Sequence, residues 1–214
     1  MRTANRIGRG LAWLAALALT AAGSAVHATS IREMTIVDLL AHSQVIVAGK
    51  VEKVSDGFAA NGVPFTEVTL EVTDPIRGTK GKTHTFRQFG LEKPRTLPDG
   101  RVYLGGRPQG WPTWRQGEVA LVFLYPKARL TGLQTTVGLG YGKLSLGNGR
   151  AINAYDNASL FSNVKVNRGL LTASERSLLD TSKGSVDART LSRFLHRAVD
   201  GNWVQNGSIA NAKR

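Results

Sequence analysis

The chain has 214 residues, a formal net charge of +13 from 28 Lys and Arg against 15 Asp and Glu, and no cysteine. At 42% hydrophobic and 20% charged, this is the composition of one folded domain rather than a disordered basic tail. The missing cysteines exclude a disulfide scaffold, a thiolate metal centre and a cysteine nucleophile.

Arg2, Arg6 and Arg9 precede an apolar run from Leu11 to Ala22 and a small-residue end at Val26-His27-Ala28. This is the order of a secretory signal peptide, so residues 1–28 are expected to be removed and the product to be periplasmic or extracellular. The apolar run falls short of the ~20 residues a spanning helix needs. No integral membrane segment is therefore expected after cleavage, which leaves 186 residues at +10.

Thr35 and Asp38 have the spacing of a capping box and predict a short helix ending at Ser43. Residues 45–54 are rich in β-branched side chains and predict a strand, with a bulge or bend at Gly49. Asn61-Gly62 predicts a turn. Thr66, Val68, Leu70 and Val72 then alternate with polar residues as a half-buried strand does, until Asp74-Pro75 is expected to break it. Residues 83–89 predict a third strand. Residues 90–117 hold four of the seven prolines and predict a long loop with one short strand at Val102-Tyr103-Leu104. Residues 119–124 predict a fully buried strand and 137–146 a curved last one, giving five principal strands.

Thr172 with Glu175 forms a second capping box. Ser185 precedes a helix in which Leu191, Phe194, Leu195, Ala198 and Val199 recur at helical spacing until Gly201 stops it. The expected organisation is mainly β: a five-stranded OB-like barrel over residues 29–150, with a short N-terminal helix. Residues 151–214 form a C-terminal extension of two helices packed on the barrel, with a frayed tail.

The opening helix, the stretch from Ser43 to Val54, the alternating strand leading into Ile76-Arg77-Gly78, and Trp114-Arg115-Gln116-Gly117-Glu118 before an apolar strand together resemble a group of small exported bacterial proteins of unassigned function. More distantly, the same order is similar to the OB-like netrin-like module of tissue inhibitors of metalloproteinases. The resemblance covers residues 35–146 and implies architecture only. The inhibitory chemistry of that module needs an N-terminal cysteine, and this chain has Thr29 and no cysteine. OB-like barrels host unrelated ligands, so the fold does not select one.

Beyond the leader the histidines are His42, His84 and His196, none within a metal-ligand pattern. No metal or cofactor is expected. The Gly138-x-Gly140-x-Gly142 series lacks the following helix that a dinucleotide site requires. Asn157-Ala158-Ser159 and Asn206-Gly207-Ser208 match the short glycosylation pattern, which recurs by chance.

Charge is the remaining signal. Arg77, Lys80, Lys82, Arg87, Lys93, Arg95, Arg101, Arg107 and Arg115 face only Glu92 and Asp99 between residues 77 and 115. Interleaved aromatics there would let a cationic surface also stack on sugars or bases. The expectation is a non-enzymatic binding module that takes an anionic envelope or matrix polymer, or a protein partner. Its ligand-binding residues would be Arg87, Arg95, Arg101, Arg107, Trp111, Trp114 and Arg115. The alternatives are a secreted hydrolase using His84 and extracellular binding of single-stranded nucleic acid.

Overall fold

Capping chemistry sets the first element. In this computed structural model, which describes residues 32–97, 99–105 and 109–212, helix α1 spans Ile36–His42 behind a complete Thr35/Asp38 capping box and ends at Ser43. The leader expected at residues 1–28 lies outside the described residues. Helix α1 buries Ile36, Val37, Leu39 and Leu40.

Strand β1 (Val45–Phe58) turns back through residues 59–63 into β2 (Pro64–Arg77), which pairs antiparallel with β3 (Thr83–Phe89). Gly62 takes a positive φ of 77° at the first of these turns. The alternation in β2 faces Val68 and Leu70 inward against Phe86 of β3. The chain then makes a small hairpin, β4 (Arg95–Thr96) with β5 (Val102–Tyr103), before β6 (Val119–Leu124) pairs with the first half of β1. After a 3-10 turn at Leu139–Gly142 come β7 (Lys143–Gly147) and β8 (Arg150–Asn153).

Strand β9 (Val164–Val166) precedes helix α2 (Ala173–Leu179), whose Thr172/Glu175 capping box is complete. Strand β10 (Val186–Asp187) leads into helix α3 (Ala188–Asp200), and β11 (Ile209–Asn211) pairs with β9. Helix α3 follows Ser185 and stops at Gly201 as expected; its N-cap is Asp187, whose side chain accepts from the Thr190 N–H. It buries Leu191, Phe194, Leu195 and Ala198.

The fold is mainly β, but the five-stranded barrel is corrected. Among the described residues the principal sheet has seven antiparallel strands in the order β10-β8-β7-β6-β1-β2-β3 and does not close. Two of its strands come from beyond the expected last one, and the boundary expected at residue 150 falls at the start of β8. Between β3 and the return segment after β6, one backbone hydrogen bond spans the gap, from the Gln134 N–H to the Arg87 carbonyl at 2.7 Å. A single bond is not a ladder.

The expected curved strand over 137–146 is interrupted for a local reason. Gly138 sits at φ 62° and a side chain at Gly142 would collide with the Val137 carbonyl, so the chain coils before it extends. Nor does Asp74-Pro75 end β2. Pro75 pairs with Val47 at a register shift, where its missing N–H is tolerated. At Gly49, beside another shift, a Cβ would overlap the Glu71 carbonyl of the neighbouring strand. That is the close backbone approach expected of a glycine inside a strand.

Candidate binding surface

Strand register decides which cations of the 77–115 stretch are free. Arg87 lies opposite Glu67 in the β2–β3 ladder, its Nε donates to the Glu67 carboxylate at 2.6 Å, and its guanidinium covers the Phe65 ring at 4.3 Å. Arg95 pairs with Asp56 of β1. The same carboxylate accepts the Glu92 N–H at 2.9 Å, so Asp56 ties the 90s loop to the end of β1. Phe58 meets Tyr103 edge-on at that junction. Arg101 bonds Asp99 across its own turn, Nε to carboxylate at 2.7 Å. Arg77, further back, donates to the carbonyls of Leu40 and Ser43 at the end of α1. Arg107 lies outside the described residues.

The tryptophans divide. Trp114 is 3% exposed, meets Phe86 edge-on at 5.2 Å, and donates its indole N–H to Gln88 Oε1 at 2.9 Å. Gln88, itself fully buried, donates in turn to the Pro112 carbonyl. The Lys143 ammonium lies 4.5 Å above the indole ring and is held by Glu118 at 2.6 Å and by the Thr113 carbonyl. Trp114 is therefore part of the core, and its ring has no open face for a ligand. Trp111 is half-buried and edge-on to Phe89 at 6.5 Å. Arg115 is exposed, its backbone N–H bonded to Glu118. Of the six described residues of the seven, Trp114 is thus in the core and Arg87, Arg95 and Arg101 are each met by a carboxylate.

Several cations not selected from the sequence are instead exposed and carry no ion pair among the described residues; three of them, Lys80 and Lys82 in the β2–β3 turn and Lys127 after β6, lie near the start of β3. Lys127 lies close enough to His84 to help burial lower that imidazole's proton affinity, burial being the larger cause. His84 stacks on Phe86 at 6.2 Å, and its buried Nε2 has no hydrogen-bond partner. Among the described residues no carboxylate or hydroxyl bonds that nitrogen, as one orienting a general base would. The free lysines escape sequence reasoning because pairing depends on which carboxylate the register sets opposite each cation.

A serine, an aspartate and a histidine do meet elsewhere. Asp74 accepts from Ser192 Oγ at 2.5 Å and lies 2.6 Å from His196 Nε2. The carboxylate stands between the other two, so the histidine is not bonded to the serine it would have to activate. This cluster joins α3 to the C-terminal part of β2. A groove of about 430 Å³ between β9 and α2 is lined by Val166, Leu171, Arg176 and Leu179, and none of the six described residues among the seven borders it.

Among the described residues no group of three or more His, Asp or Glu is placed to hold a metal ion, and no helix is long and apolar enough to cross a membrane. No family model, curated protein or solved structure matches the chain.

Proposed function

We propose that the protein is an exported, non-enzymatic binding module whose ligand is an anionic protein partner. The observation that carries this reading is the set of exposed, unpaired lysines, Lys80, Lys82 and Lys127, around β3 on a chain of net charge +13. A concentrated positive field attracts an acidic partner and weakens with salt. Internal carboxylates on Arg87, Arg95 and Arg101, and the burial of Trp114, remove most of the array that a repeating polymer would use. That tips the reading from polymer to protein. The open antiparallel sheet is compatible with the resemblance to exported OB-like modules, and the leader expected from residues 1–28 of the sequence favours a site of action outside the cytoplasm.

The test is binding of the leader-free protein to immobilised poly-L-glutamate, dextran sulfate and single-stranded DNA over a salt series. Salt-sensitive retention on poly-L-glutamate that drops in Lys80→Ala/Lys82→Ala/Lys127→Ala is expected. Stronger retention on dextran sulfate at equal charge, insensitive to those lysines, would return the polymer reading. Preference for the single strand would return nucleic acid, and no retention at low salt would remove anionic recognition altogether.

A further inference from the structure

We propose that the outer edge of β3 accepts an extended acidic segment of that partner as an added strand. The inference rests on the anionic-partner reading above and goes further by naming the surface and the mode of recognition.

Two hydrogen bonds set the direction of every backbone group in β3. The Gly90 N–H bonds the Pro64 carbonyl and the Val72 N–H bonds the Lys82 carbonyl. Alternation along an antiparallel ladder then turns His84, Phe86 and Gln88 toward β2, and turns the N–H and C=O groups of Thr83, Thr85, Arg87 and Phe89 outward. Strand β3 is the last in the sheet. Among the described residues the one outward group with a partner is the Arg87 carbonyl, taken by the Gln134 N–H. That bond limits the open stretch to the half of β3 around Thr83 and Thr85, where two N–H and two C=O groups stand ready for another backbone. Both threonines are exposed, and β3 contains no proline.

An edge strand left open is a template for pairing unless charge or shape blocks it. Here charge selects the occupant. Lys80, Lys82 and Lys127 flank the open half, against Glu71 on the neighbouring strand, while Arg87 and Glu67 cancel one another. A second copy of this chain would bring like charges together, edge to edge. An acidic segment would instead be attracted. The open half is short, so the expected binding is weak, fast and salt-sensitive.

A fluorescent acidic heptapeptide alternating Glu with Val, and the same peptide N-methylated at alternate amides, distinguish backbone pairing from charge alone. Measured by anisotropy, the parent peptide is expected to bind, and methylation to weaken it about tenfold or more through the lost backbone bonds. Thr85→Pro removes an outward N–H without touching the inner ladder and is expected to do the same with an unchanged circular dichroism spectrum. Should that variant fail to fold, the methylated peptide still decides. Equal binding of both peptides, with loss in Lys80→Ala/Lys82→Ala, would overturn strand addition and leave the anionic reading standing. No binding of either peptide, together with no retention on poly-L-glutamate, would overturn both.

Discussion

Replacing Trp114 by alanine separates a core residue from a ligand-stacking one. The indole is 3% exposed against Phe86, and its N–H fills the acceptor of a fully buried Gln88. Truncating a buried tryptophan costs about 3–5 kcal/mol in lost burial and cavity, and an orphaned buried amide oxygen adds about 1–3 kcal/mol. The two overlap where the site relaxes, so the expected loss is about 4 kcal/mol, against the ~5–15 kcal/mol that holds a typical domain together. Trp114→Phe should keep the edge contact with Phe86, lose only the indole hydrogen bond, and cost about 1–3 kcal/mol. Urea unfolding of the protein over residues 29–214, followed by far-UV circular dichroism, reads both values. An unchanged midpoint for Trp114→Ala, accompanied by lost retention on a polyanion, would refute the assignment of this ring to the core.

Glu175 is 2% exposed. Burial alone would raise its pKa, but hydrogen bonds from Thr172 and the Arg197 guanidinium outweigh that and hold the carboxyl below its ordinary value of 4.5. A folded pKa below the unfolded one gives stability that is fully present above pH 4.5 and is lost as pH falls through the folded value. The urea midpoint should therefore drop below about pH 4.5, and Glu175→Gln should be less stable at pH 7 with a shallower acid slope; an identical slope in the variant would remove Glu175 as a source. Asp74→Ala should cost about 1–3 kcal/mol and raise amide exchange in α3, because Ser192 and His196 lose their shared acceptor. Unaltered exchange there would show that apolar packing alone holds the helix.

Local chemistry was legible where neighbours in sequence carry it. Both capping boxes, the Asn61-Gly62 turn, the alternation from Thr66 to Leu70 and the stop at Gly201 each depend on a few consecutive residues, and each stands in the structure. The aromatic count between residues 77 and 115 was equally plain, but whether each ring is core or surface was not. Trp114 became core because Phe86 and Gln88 meet it from β3, 28 and 26 residues away.

Charge followed the same division. The excess of cations is a sum over the chain and survives any fold. Neutralisation is pairwise: Glu67 finds Arg87 through a ladder, Asp56 finds Arg95 across 39 residues, and Asp74 finds Ser192 across 118. The number of strands and the failure of the sheet to close belong here too, since β8 and β10 join it from beyond residue 149. Periodicity and capping are short-range and free of register, so composition and order suffice to write them. Pairing between distant strands depends on register, and a shift of one residue exchanges every inward and outward side chain. Only the assembled sheet therefore chose which lysines stand free and which edge of β3 lies open.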